Sequence, residues 1–225
     1  EIRKKIGDAT VDIYPWDYSI AAVNNLNWNP RPVLHSYASY THWLDNKNAN
    51  HFKSDSSPEF IIWECNKITS DVNDGIYNSI DNRYLLNDEP QTLIEILKKY
   101  ESVAKTKKFL ILKKLKNPLL TKVKISSIQK AKMNQWIAVP ETTTGLHRVK
   151  VEFSKGISQK VKSFFYKDEQ YWILLKLKTG EIHKYRFVPK NAADGLWIAP
   201  YLFNEYITAN QQVKEIQFVS SCSIN

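Results

Sequence analysis

Two carboxylates, Asp12 and Asp17, stand on either side of Pro15-Trp16 in the stretch VDIYPWDYS. Carboxylates this near in sequence could divide acid and base roles at a reacting bond. Asp17 equally suits the start of a helix, where the backbone dipole favours a negative group. Downstream lies NPRPVLHSYASYT, residues 29–41. Pro30 and Pro32 hold Arg31 extended, so its guanidinium loses little backbone freedom on binding. A guanidinium so held suits a carboxylate or phosphate, offering two parallel donors. An internal partner such as Asp12, Asp17 or Asp81 is the favoured reading; a ligand phosphate or uronate is the functional alternative. Ser36 follows His35, but no glycines surround it to form a nucleophile elbow. His35, His42 and His51 are separated by 7 and 9 residues, not the 4 of a helical metal pair. Cys65 and Cys222 lie far apart without metal-ligand spacing, leaving one disulfide or two buried thiols as the alternatives. No metal and no cofactor is expected.

These residues need elements to position them. TVDIYP (10–15) reads as a strand and WDYSIAAVNNL (16–26) as a helix with Trp16, Ile20 and Val23 on one face. RPVLHSY (31–37) reads as a second strand. YTHWLDNKNANHF (40–52) reads as a helix capped by Thr41 or Ser39, and PEFIIWEC (58–65) as a buried strand. EPQTLIEILKKY (89–100) is the clearest helix. Its Leu93, Ile96, Leu97 and Tyr100 recur at helical spacing, with Pro90 in the first turn and Lys98 and Lys99 in the last. KFLILKKL (108–115) closes the unit as a strand. This alternation predicts an α/β, Rossmann-like sheet unit over residues 1–118, with ligands expected at its strand ends. No glycine follows the first strand, which excludes a dinucleotide fingerprint.

From residue 119 the pattern changes to short strands, expected at 121–129, 135–139, 146–153, 159–166, 171–178, 181–188, 195–202 and 213–220. Thr179 and Gly180 mark a hairpin turn. This spacing predicts a second domain, 119–225, built as an antiparallel β-sandwich, jelly-roll-like. The expected fold class is therefore α+β overall.

Charge is uneven. Residues 1–120 carry 16 basic and 15 acidic side chains, whereas residues 121–225 carry 16 and 8. The excess in the second half falls in pairs two residues apart: Lys122/Lys124, Arg148/Lys150, Lys160/Lys162, Lys176/Lys178 and Lys184/Arg186. On strands each pair shares a face. A solvated outer face is the favoured reading; polyanion binding is the alternative. Nucleic acid is disfavoured because the pairs lack interleaved aromatics and no nucleic-acid motif appears. Trp136, Trp172 and Trp197 are read as sandwich core, with a sugar-stacking platform as the alternative.

No apolar run approaches the length of a membrane span. The chain starts at Glu1 and its only methionine is Met133, which reads as a fragment of a longer precursor. The run from VDIYPW through NPRPV, SYASYT and LDNKN to SPEFIIWE resembles a segment in the extracytoplasmic C-terminal parts of large bacterial polytopic membrane proteins, some glycosyltransferase-like. IDNRYL, with Asp81 and Arg83, is similar to a later Asp-x-Arg element there, and YRFVPKNAADGLWIAPYL resembles the tail. The resemblance implies a location in the periplasm or at the cell surface. It also implies a non-catalytic role in which the chain binds or positions a glycan or lipid-linked sugar, or supports a membrane partner. An enzyme of glycosyl transfer or hydrolysis, with its site at the α/β strand ends, is the alternative. The candidate ligand-binding residues are Asp12, Trp16, Asp17, Arg31, Ser36, Tyr37, Tyr40, Asp81 and Arg83.

Overall fold

The computed structural model describes residues 2–64, 79–106, 108–119, 124–141, 147–152, 170–198 and 212–221. The architecture is mixed α+β with antiparallel sheets. After a short helix, α1 (Ile2–Ile6), the chain enters β1 (Val11–Tyr14), turns through α2 (Ser19–Val23) and α3 (His42–Lys53), and returns as β2 (Phe60–Glu64). β1 and β2 are parallel, with Val11 opposite Phe60 and Tyr14 opposite Trp63. Then come α4 (Pro90–Lys99), β3 (Tyr100–Lys105) and β4 (Phe109–Lys114). β4 inserts antiparallel between β2 and β3, giving the order β1-β2-β4-β3.

Strand alternation gives this sheet two apolar faces. Val11, Ile13, Phe60, Ile62 and Ile111 pack with Ile6 and Ala21, on the side of α1 and α2. Tyr14, Ile61, Trp63, Leu110 and Leu112 face the other way, onto Phe52 of α3 and Leu93 and Ile96 of α4. Burial on both faces explains why β1 and β2 read as apolar runs rather than as alternating sequence.

The second half supplies β5 (Trp136–Ala138), β6 (Arg148–Val149), β7 (Tyr171–Leu177), β8 (Ile182–Phe187), a helix α5 (Pro189–Asp194), β9 (Leu196–Trp197) and β10 (Val213–Ser220). One antiparallel sheet has the order β5-β10-β7-β8, and β6 pairs with β9 in a ribbon. Gly180, at φ 93°, makes the turn between β7 and β8, as its sequence predicts. Ile173, Leu175, Ile216 and Phe218 of this sheet share one buried cluster with Ile61, Trp63 and Leu93 of the first half.

Several expected elements are corrected. Residues 31–37 are not a strand; they turn, and Ser36–Ala38 forms a 3-10 turn. The backbone here is satisfied by side chains instead of a neighbouring strand. Asn48 accepts from the Val33 N–H at 2.8 Å and donates to the Val33 carbonyl at 2.9 Å, and Arg31 takes the Leu34 carbonyl at 2.7 Å. The helix expected over 16–26 shrinks to Ser19–Val23, so Trp16 falls outside it, and Val23 is exposed. Residues 124–129, within the strand expected at 121–129, form none, and Ile125 and Ile128 are exposed. The strand expected at 159–166, and Lys122, Lys160, Lys162, Cys65 and Cys222, lie outside the described residues.

Candidate functional site

The candidate residues separate into a sealed interior group and a surface group. Asp12, Arg31 and Ser36 are fully buried. The Arg31 Nη1 donates to Asp12 Oδ2 at 3.0 Å and to the Ile13 carbonyl at 2.7 Å, while Nη2 donates to the carbonyls of Pro15 and Leu34. Its guanidinium lies 4.7 Å from the Tyr14 ring centroid, and its Nε sits 3.8 Å from Glu89 Oε1. Burial alone would lower the Arg31 pKa, but Asp12 and Glu89 more than offset it and keep the guanidinium charged. The internal carboxylate expected for Arg31 is Asp12.

Beside this pair lie more buried acids. Glu89 accepts from the Asn48 amide at 2.7 Å; burial raises its pKa, against the pull of Arg31. Asp88 sits 3.4 Å from Arg83 Nη1 and accepts from the Ser79 hydroxyl. Burial, with the neighbouring Glu89, pushes Asp88 up to about 7 despite Arg83. Asp45, on α3, receives the Gln91 and Thr92 N–H groups of α4 at 2.8 and 2.9 Å. A carboxylate there meets the otherwise unpaired donors of the helix start, yet burial still pushes Asp45 up to about 7.

Asp81 and Arg83 do not meet each other. Arg83 is buried against Asp88 and donates to the Tyr37 carbonyl at 3.1 Å, while exposed Asp81 accepts from Arg186 at 3.1 Å. Tyr40 is exposed.

Trp16, Asp17 and Tyr37 are brought together at the surface. The chain leaves β1 through a cis Tyr14–Pro15 bond, and β2 ends level with it at Glu64. An open cleft of about 390 Å³ forms at these two strand ends, lined by Trp16, Asp17, Tyr18, Ser19, His35 and Glu64. Its lining rings, Trp16, Tyr18 and His35, belong to a continuous series that also takes in Trp28 and Tyr37. Trp28 stacks on Tyr18 at 5.6 Å, Tyr18 meets His35 edge-on at 5.6 Å, His35 approaches Tyr37 at 5.2 Å, and Tyr37 meets Trp16 edge-on at 5.6 Å. Asp17 accepts from the Ser19 hydroxyl at 2.5 Å. Burial raises the Glu64 pKa and the Asp17 charge raises it further, with Lys108 opposing. The site thus offers flat apolar ring surface beside hydrogen-bond acceptors. It lies where ligands sit in sheets with parallel strands, beyond the carboxyl ends.

Tyr18, His35 and Glu64 were not among the candidate ligand residues. The parallel pairing of β1 with β2 brings Glu64, at the end of β2, level with the residues that follow β1, while His35 comes from the turn that leads into Ser36–Ala38. Among the described residues, no group of three or more His, Cys, Asp or Glu side chains is placed to hold a metal. His42 instead pairs with Asp194, Nδ1 to Oδ1 at 2.8 Å.

In the second sheet, Leu175, Leu177 and Tyr185 are buried and the paired cations face outward. Lys176 bonds Glu215 at 2.8 Å and Lys178 bonds Glu141 at 3.0 Å. Trp197 is buried, whereas half-buried Trp172 and Trp136 lie under Lys184 and Lys176. Among the described residues no helix is long and apolar enough to cross a membrane. Comparison with known protein families, curated proteins and solved structures returned no match.

Proposed function

We propose that this chain binds a glycan, without turning it over, in the cleft at the ends of β1 and β2. The observation that carries the reading is the series of aromatic rings beside Asp17 and Glu64. A pyranose presents an apolar C–H face and a rim of hydroxyls. Rings of Trp16 and Tyr18 suit the face, and carboxylates suit the hydroxyls. In this reading the chain works outside the cytoplasm, holding a glycan or lipid-linked sugar for a membrane-bound partner. The parallel β1–β2 pair with helices between supports describing the first unit as Rossmann-like. The jelly-roll-like description of the second half rests on its strand spacing.

The test is a titration of defined oligosaccharides, followed by tryptophan fluorescence and by chemical shifts. The expected result is saturable binding that Trp16→Ala weakens at least about tenfold, the order of one lost ring contact with its buried area. If no glycan perturbs Trp16, the reading fails.

One observation favours a second reading. Asp17 and Glu64 both line the cleft, and burial together with the Asp17 charge raises Glu64; a raised acid beside a second carboxylate is what acid–base hydrolysis of a glycosidic bond uses. New reducing ends appearing with time in the same titrations, and absent with Glu64→Gln, would establish it.

A further inference from the structure

The cleft reverses the charge of the molecule around it. The chain carries a formal net charge of +9, yet the residues lining the cleft include two carboxylates and neither lysine nor arginine. Beneath the floor, Arg31 donates to the Pro15 and Leu34 carbonyls, but Asp12 and Glu89 already neutralise it. Lys108 also acts on Glu64, more weakly than Asp17 does; His35 is engaged edge-on by Tyr18. Two like charges held near each other are each less stable than one alone. A cation placed between Asp17 and Glu64 relieves Glu64.

The aromatic rings give a second, independent reason for a cation. A positive group over a ring face of Trp16 or Tyr18 is attracted by the ring quadrupole. Elsewhere this chain already places cations on its rings: Lys184 lies 4.9 Å from the Trp172 centroid and Arg148 5.0 Å from that of Trp197. In the cleft, rings and carboxylates coincide and the lining residues bring no lysine or arginine of their own.

We infer that the cleft selects sugars bearing a free, positively charged amine over neutral, N-acylated or acidic ones. The inference rests on the glycan reading above. It assigns the ammonium to Asp17 and Glu64 and the ring face of the sugar to Trp16 and Tyr18. Selection works against the general field of the protein, which draws anions, so it must come from these local groups.

The test pairs a short glucosamine oligomer with its N-acetylated counterpart of the same length, titrated into the full chain at mildly acidic pH. The free-amine oligomer is expected to bind at least about tenfold tighter, the order of one charge-assisted hydrogen bond plus a cation–π contact. The preference should shrink at high salt. It should shrink in Glu64→Gln and disappear in the doubly substituted Asp17→Asn, Glu64→Gln chain, while Trp16→Ala weakens both oligomers. Equal affinity for the two oligomers overturns the amine selection and leaves glycan binding standing. No binding by either oligomer, with a neutral glycan binding instead, overturns the selection as well. No binding by any glycan overturns the reading beneath it. A preference that survives in the doubly substituted Asp17→Asn, Glu64→Gln chain, or that does not respond to salt, overturns the assignment to these carboxylates.

Discussion

At the scale of single residues, Arg31 organises the interior. It ties the end of β1 to the turn at 34–36 through carbonyls of both and neutralises Asp12 in the process. Removing one member of a buried ion pair leaves its partner charged and unsolvated. Arg31→Met is therefore expected to cost about 3–5 kcal/mol in urea unfolding; a loss below 1 kcal/mol would show that Asp12 finds another partner. Asp45 and Asp88 carry a pH signature. Both sit at about 7 in the folded chain, above the ordinary aspartate value, so the folded state holds protons that the unfolded state has released. Their contribution to stability is complete below about pH 4 and is lost as pH rises through about 7. The melting temperature is expected to fall between pH 5 and pH 8, and Asp88→Asn should flatten that fall. A melting temperature that rises over this interval would contradict the assignment.

The elements show which parts of this arrangement are written locally. α3 and α4 are legible because their own sequences mark where they start: Thr41 accepts from the Leu44 N–H at 3.3 Å, and Pro90 opens α4, although the first N–H groups of α4 are taken by Asp45 of α3. β1, β2 and β4 are legible as apolar runs. The misreading of 31–37 has a non-local cause: Asn48, fifteen residues on, supplies the hydrogen bonds that a neighbouring strand would otherwise give. β3 was missed because its pattern is inverted, with Val103 exposed while Ser102 and Ala104 are partly covered. Of the site, Trp16, Asp17 and Tyr37 were visible as residue types. Glu64 joins them only once β2 pairs with β1, and no local pattern encodes that pairing. The same distinction gives a prediction about caps. Thr41→Ala removes a local cap and should cost about 1 kcal/mol. Asp45→Ala strips the partner from the Gln91 and Thr92 N–H groups together, each buried orphan costing about 1–3 kcal/mol, while the Thr92 hydroxyl keeps the Asp45 backbone carbonyl. Thermal melts should rank Asp45→Ala well below Thr41→Ala; the opposite order would mean that α4 does not depend on α3 for its start.

At the scale of the molecule, one apolar cluster takes side chains from both sheets, and polar ties reinforce it. Asn87 accepts from the Trp197 N–H at 2.6 Å, and Asn191 donates to the Asn87 and Asp88 carbonyls at 3.0 and 2.9 Å. A shared core couples the stability of its parts. Unfolding followed by tryptophan fluorescence and by far-UV circular dichroism is expected to give coincident transitions, with Ile173→Ala shifting both equally. Two separated transitions, only one of them shifted, would show that the halves melt independently.

The acids gathered around Arg31 and Arg83 have a consequence for heat as well as for stability. Among the described residues, buried Asp12, Asp45, Asp88 and Glu89 outnumber buried Arg31 and Arg83. Near pH 6 the folded chain keeps Asp45 and Asp88 mostly protonated, and unfolding hands those protons to the solvent. Opening this protein is thus an acid-releasing reaction. Its calorimetric enthalpy at that pH will depend on the ionisation heat of the buffer that takes up the protons, and an unbuffered solution will acidify as the chain melts.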